Sequence, residues 1–137
     1  MERKRGENMD FEKEARKAKR VNYIALGILA AVVLAVAAAA VVYRYKHTFS
    51  SEKWLNNPDG RTAIVDDLLE KYELVGMTEA DVTALLGEHN NDYGYFNADN
   101  RYVYCMGLER GLISIDCEWL ILDFADGRVS DVHITTD

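Results

Sequence analysis

The residues that could do chemistry in this 137-residue chain are few and scattered. His47, His89 and His133 stand far apart, with none of the short spacings by which imidazoles share a metal ion. Asp116 and Glu118 flank Cys117 and, joined by Asp92 or Asp99, would make a loose oxygen site for a hard cation. No EF-hand loop or other ligand order fixes these carboxylates, so solvated side chains are the stronger reading. Ser114 and Ser130 lack the sharp glycine elbow and the assigned base that a nucleophilic serine needs. The pattern predicts no catalytic residue, no metal and no cofactor, and hence a protein that is not an enzyme. Cys105 and Cys117 are the only cysteines and sit on neighbouring strand-like segments. A disulfide between them would close a loop of about a dozen residues and contribute about 2–3 kcal/mol by restricting the unfolded chain. Two free thiols filling a core are the alternative, and both readings stand because the strand register is not fixed by sequence.

Binding is better represented than catalysis. Tyr93, Tyr95, Phe96, Tyr102, Tyr104 and Trp119 exceed what one face of a small sheet can bury beside its aliphatic residues, and tyrosine and tryptophan are common interface anchors. The stretch MGLERGLISIDCEW adds Leu108, Leu112 and Ile113 in a glycine-bounded connection with no evident core duty. The candidate interaction surface is therefore Tyr95, Tyr102, Tyr104, Leu108, Leu112, Ile113 and Trp119, with Trp119 as its anchor.

The elements that must position these residues follow from charge and hydrophobic pattern. Residues 1–20 carry eight Lys and Arg against five Asp and Glu, whereas residues 48–137 carry six against eighteen. A basic tail and a strongly acidic domain thus share one chain, and the domain's sign argues against nucleic acid as a partner. Between them, residues 21–43 (VNYIALGILAAVVLAVAAAAVVY) include one strongly polar side chain, Asn22. Twenty-three residues at about 1.5 Å each give roughly 34 Å of helix, enough for a hydrocarbon core of about 30 Å. A retained transmembrane anchor is the stronger reading; a signal peptide cleaved near Ala38 or Ala40 is the rival, disfavoured by the length of the apolar run and of the preceding tail. The excess of basic residues before the segment places the N-terminus in the cytoplasm and the acidic domain outside it. Gly27, Ala31, Ala35 and Ala39 form a small-residue face that would allow helix-mediated self-association, although an alanine-rich segment produces such a series readily.

Beyond the anchor, residues 44–58 read as a polar spacer before the domain of residues 59–137, the alternative being that Trp54 already belongs to the domain. A first helix is expected from near Asp59 through GRTAIVDDLLEKYEL, with Ile64, Leu68 and Tyr72 on one stripe beside Val65 and Leu69. A second is framed by its own signals. Thr78 and Asp81 approximate a capping box, Met77 and Val82 a hydrophobic staple, and Gly87 ends the helix in the left-handed region. YGYF, RYVYCM, EWLILDF and RVSDVHI read as strands, with Asp126-Gly127 as a tight hairpin turn. Leu120, Leu122 and Phe124 should face the helices, while Trp119, Ile121 and Asp123 face the other way. The expected fold class is α+β: an N-terminal transmembrane helix, then two short helices on a three- to four-stranded antiparallel sheet.

GMTEADVTALLGE, an aromatic strand and LILDFADGRV together resemble the SmpA/OmlA (BamE-like) family over roughly residues 62–135. Gly76, Met77, Thr78, Val82, Leu85, Leu86 and Gly87 match its helix signature, and Leu122, Phe124, Gly127 and Val129 its closing hairpin. The resemblance implies a β-lactamase-inhibitor-protein-like fold and a role in envelope assembly. The chain departs from the family pattern at His89, where a proline is usual, and in carrying a spanning helix where a lipidated cysteine is usual. The expectation is a membrane-anchored, non-catalytic protein whose domain binds another envelope or membrane protein. A small-ligand or cation-binding sensor coupled to the membrane helix is the alternative.

Overall fold

The computed structural model describes residues 2–90, 96 and 98–137, with side chains from Met9 onward. It divides into two units, Met1–Arg44 and Tyr45–Asp137. The first unit lies within one long helix, α1 (Glu2–His47). No side chain between Met9 and His47 is buried, and this is the one helix among the described residues long and apolar enough to cross a membrane. Its length and composition suit an anchor or a signal sequence.

The second unit is α+β. Three short antiparallel strands, β1 (Arg101–Leu108), β2 (Cys117–Ala125) and β3 (Arg128–Thr136), form one sheet in the order β1-β2-β3. The expected YGYF strand falls mostly outside the described residues, and Phe96 itself lies in a turn. The β2–β3 turn is as read: Asp126 and Gly127 both have positive φ, 51° and 73°, the backbone that a two-residue hairpin requires.

The helical layer differs from the expected pair. Residues 51–71 break into α2 (Ser51–Asn56), a 3-10 segment (Pro58–Ala63) and α3 (Val65–Lys71). Two local features explain the break. Ser50 caps α2 by accepting from the Lys53 amide at 3.3 Å, so helix starts before Asp59. Pro58 then has no amide hydrogen to continue α2 and opens the 3-10 segment. Trp54 is completely buried. The stretch expected as a spacer is therefore part of the second unit from Tyr45 onward. Of the predicted stripe, Ile64, Val65 and Leu68 are buried, while Leu69 and Tyr72 are exposed; α3 ends at Lys71 and Tyr72 turns extended, off the helical stripe.

The second predicted helix, α4 (Glu79–Leu86), has the full capping box. The Thr78 hydroxyl accepts from the Asp81 amide at 3.2 Å, and the Asp81 carboxylate accepts from the Thr78 amide at 3.1 Å. The bonds from the Thr78 side chain and backbone hold the Asp81 carboxyl below the usual range. Gly87 ends the helix with φ 77° and ψ −168°, outside the left-handed helical region and in backbone space that is nearly glycine-only. A Cβ there would also meet Leu55 Cδ2 at 2.4 Å. Val82 and Leu86 are fully buried, whereas Leu85 is only half-buried against the core.

Each face of the sheet carries a buried cluster. Leu120, Leu122 and Phe124 join Trp54, Leu68 and Leu86 in the main core, as their alternation predicts. On the opposite face Val103, Trp119 and Ile121 make a second, smaller cluster with Phe96, Cys105 and Cys117 against it.

Candidate functional site

The proposed aromatic surface is taken apart by this second cluster. Trp119 is on the face opposite Leu120, as read, but is only 3% exposed, beside Phe96 at a ring-centroid distance of 5.7 Å. Tyr104 points the other way into the main core. Its hydroxyl donates to Gly87 O at 3.0 Å, and burial pushes its pKa well up. Tyr102 is half-buried, with the His89 ring stacked on it at 3.9 Å and Phe124 tilted against it at 4.6 Å. Burial lowers the His89 pKa, which favours the neutral ring in this stack. Tyr95 lies outside the described residues. Neither Trp119 nor Tyr104 can anchor a partner without unfolding, so the anchor of the expected surface is lost.

Its apolar loop survives. Leu108, Leu112 and Ile113 are exposed, and so is Ile115, which continues the same apolar run. The connection is built as a closed neck with an apolar tip. Glu109 N donates to Asp116 O at 3.0 Å. Arg110 forks onto Glu118, with Nε 3.0 Å from Oε2, and reaches Asp66 Oδ2 with Nη1 at 2.6 Å. The two carboxylates, Glu118 first, raise the Arg110 pKa. Gly107, at the irregular step between Cys105 and Leu108, lets β1 approach the 3-10 segment: a Cβ there would sit 2.4 Å from Asp59 O.

The remaining chemical candidates are not assembled. Glu118 serves Arg110, Asp99 lies on an exposed turn, and Asp92 is outside the described residues. Cys105 and Cys117 are free thiols, half-buried on one sheet face; burial and then the neighbouring Cys105 push the Cys117 thiol up. The register explains their proximity: Cys105 pairs with Trp119, two residues from Cys117 on the same face. A cluster not evident in the sequence is Asp123, Asp131 and His133, drawn together because β2 and β3 pair Asp123 with Asp131. Arg101 already binds Asp123 through two nitrogens, at 2.6 and 3.1 Å.

Two features had no advance signal. Arg61 is buried, with Nε donating to Trp54 O at 2.9 Å and Nη1 to Cys105 O at 2.8 Å, its guanidinium 4.8 Å from the centre of the Trp54 ring. It joins α2 to β1, and desolvation lowers its pKa. The second is an open concavity lined by Leu69, Glu70, Tyr72, Glu73, Val75 and Val132, in which exposed apolar side chains meet two carboxylates.

These features define a small α+β domain that follows a long apolar helix in the chain. No protein-family model matches the chain, and neither a curated protein nor a solved structure matches it.

Proposed function

We propose that this chain is a membrane-anchored, non-catalytic protein whose acidic domain binds another envelope or membrane protein. In this reading residues 21–43 span the cytoplasmic membrane, the basic tail stays in the cytoplasm by the positive-inside bias, and the domain lies on the far side. The resemblance of the capped helix and closing hairpin to the SmpA/OmlA family agrees with an envelope role. The observation that carries the reading is the concavity lined by Leu69, Tyr72 and Val75 together with Glu70 and Glu73, on a region, residues 48–137, holding eighteen acidic against six basic residues. A concavity that mixes apolar side chains with carboxylates fits a partner that presents an apolar side chain between Lys or Arg residues, and the charge speeds and orients the encounter.

A photo-crosslinker at Val75, which lines the same concavity, should capture one protein in native membranes, and adding Glu70→Lys with Glu73→Lys should abolish the capture while leaving thermal unfolding unchanged. Unaltered capture by the doubly charge-reversed chain would exclude this surface. The cation-sensor alternative has its best support in Asp123, Asp131 and His133, but Arg101 already supplies the positive charge that Asp123 would offer a metal ion.

A further inference from the structure

The apolar tip of the β1–β2 connection belongs to a different kind of surface from the acidic concavity. Residues 111–115 read Gly-Leu-Ile-Ser-Ile, five residues without a charge. Leu112, Ile113 and Ile115 are exposed, Ile115 by 76%. The charges of the connection sit at its neck, where Arg110 is held by Glu118 and Asp66. Within the tip the Ser114 hydroxyl donates to Gly111 O at 3.4 Å, so its polar side chain has an internal partner.

The position of the neck decides what the tip can meet. Arg110 binds Asp66, and the next residue, Asp67, accepts from the Phe49 amide at 2.6 Å. Asp66 and Asp67 are consecutive in the first turn of α3, so their Cα atoms are about 3.8 Å apart. The connection therefore leaves the domain beside the point where the chain enters it from α1. From Tyr43, the end of the apolar run, four residues of α1 and two more lead to Phe49. This distance is at most roughly 13 Å, from about 1.5 Å per helical residue and about 3.6 Å per extended one. The headgroup layer is about 7 Å thick on each side. A tip of five residues adds a reach of roughly 10 Å even when folded back on itself.

We propose that Leu112, Ile113 and Ile115 insert into the interface of the lipid bilayer that holds α1, giving the domain a second contact with the membrane. The proposal rests on the anchor reading of α1. Side-chain chemistry favours lipid over protein as the occupant: the tip is aliphatic and featureless, whereas protein hot spots favour Trp, Tyr and Arg and are poor in Leu and Ser. Shallow burial of aliphatic side chains beside headgroups needs no specific pocket. The net negative charge of the domain makes a zwitterionic surface the fitting one, since anionic lipids would repel it.

The test uses the full chain in phosphatidylcholine nanodiscs, with Cys105→Ala and Cys117→Ala and one environment-sensitive fluorophore at Ile113→Cys, Asp126→Cys or Val33→Cys. Asp126 is the control because the β2–β3 turn lies at the other end of β2 from the tip. The label at position 113 should shift to the blue and be quenched by doxyl-labelled lipid; the one at 126 should be quenched only by aqueous iodide. With the native cysteines intact, hydrogen exchange over residues 109–116 should be slower by about tenfold than in an Ile113→Asp, Ile115→Asp variant. Iodide quenching at 113, with deep lipid quenching at 33, would overturn the proposal alone. Failure of lipid quenching at 33 would overturn it together with the anchor reading. Crosslinking of position 113 to a second polypeptide, without lipid quenching, would assign the tip to a protein and overturn it as well.

Discussion

Trp54 and Trp119 are both almost completely out of water, yet they belong to cores of different construction. Trp54 sits under the helix-covered face, where Tyr104 meets it edge-on at 6.0 Å and Arg61 lies across its ring. Its neighbours come from helices and strands that reach one another only when the whole second unit is folded. Trp119 is held on the opposite face by Val103, Ile121, Phe96 and the two thiols, a cluster drawn mainly from two adjacent strands. Burial alone therefore does not measure a residue's share in the fold: one tryptophan joins layers, the other packs on a single sheet face.

Trp54→Ala should therefore cost about 4–5 kcal/mol, at the upper end for large-to-small core changes, because the cavity also strips Arg61 of its packing. Denaturant unfolding of the domain reads this directly. For Trp119→Ala the expected loss is about 3 kcal/mol, since a cluster at one face relaxes toward solvent more easily. Equal losses at the two positions would break the comparison and make the sheet a single two-sided core.

The Lys71 ammonium at 2.7 Å, then the Phe49 amide, hold the Asp67 carboxyl below its ordinary value. A carboxylate with a lowered folded pKa stabilises above its unfolded value of about 3.9, and that contribution is lost as pH falls through the folded value. Asp67→Asn should consequently be less stable than the parent at pH 7 by a small margin that shrinks to nothing toward pH 2. A margin independent of pH would show that Asp67 acts only through shape. The smallest effect is expected outside both cores: Leu112→Ala should change stability by less than about 0.5 kcal/mol, as a surface substitution without folded partners. A larger loss would mean that the tip packs on the domain.

Local chemistry made several elements readable in advance. The Thr78–Asp81 box and the Asp126-Gly127 turn depend on residues adjacent in sequence, and each formed where its own side chains dictate. The alternation of Leu120, Leu122 and Phe124 named the helix-facing side of β2 correctly for the same reason, since a strand's period is a property of its backbone. The break at Pro58 was also written locally, but the apolar stripe from Ile64 to Tyr72 concealed it.

The apolar helix, the segregation of charge, the α+β class and the aliphatic tip at Leu112 and Ile113 were legible from the residues in order, because each follows from composition or from neighbours a few residues apart. Tertiary structure alone decided that Trp119 is core, that Arg61 links Trp54 to Cys105, that Asp123 and Asp131 meet, and that the tip leaves the domain beside Phe49. These outcomes depend on strand register and on contacts between residues dozens of positions apart. A period-two pattern states which residues share a face, but only the packed layers determine whether that face meets water.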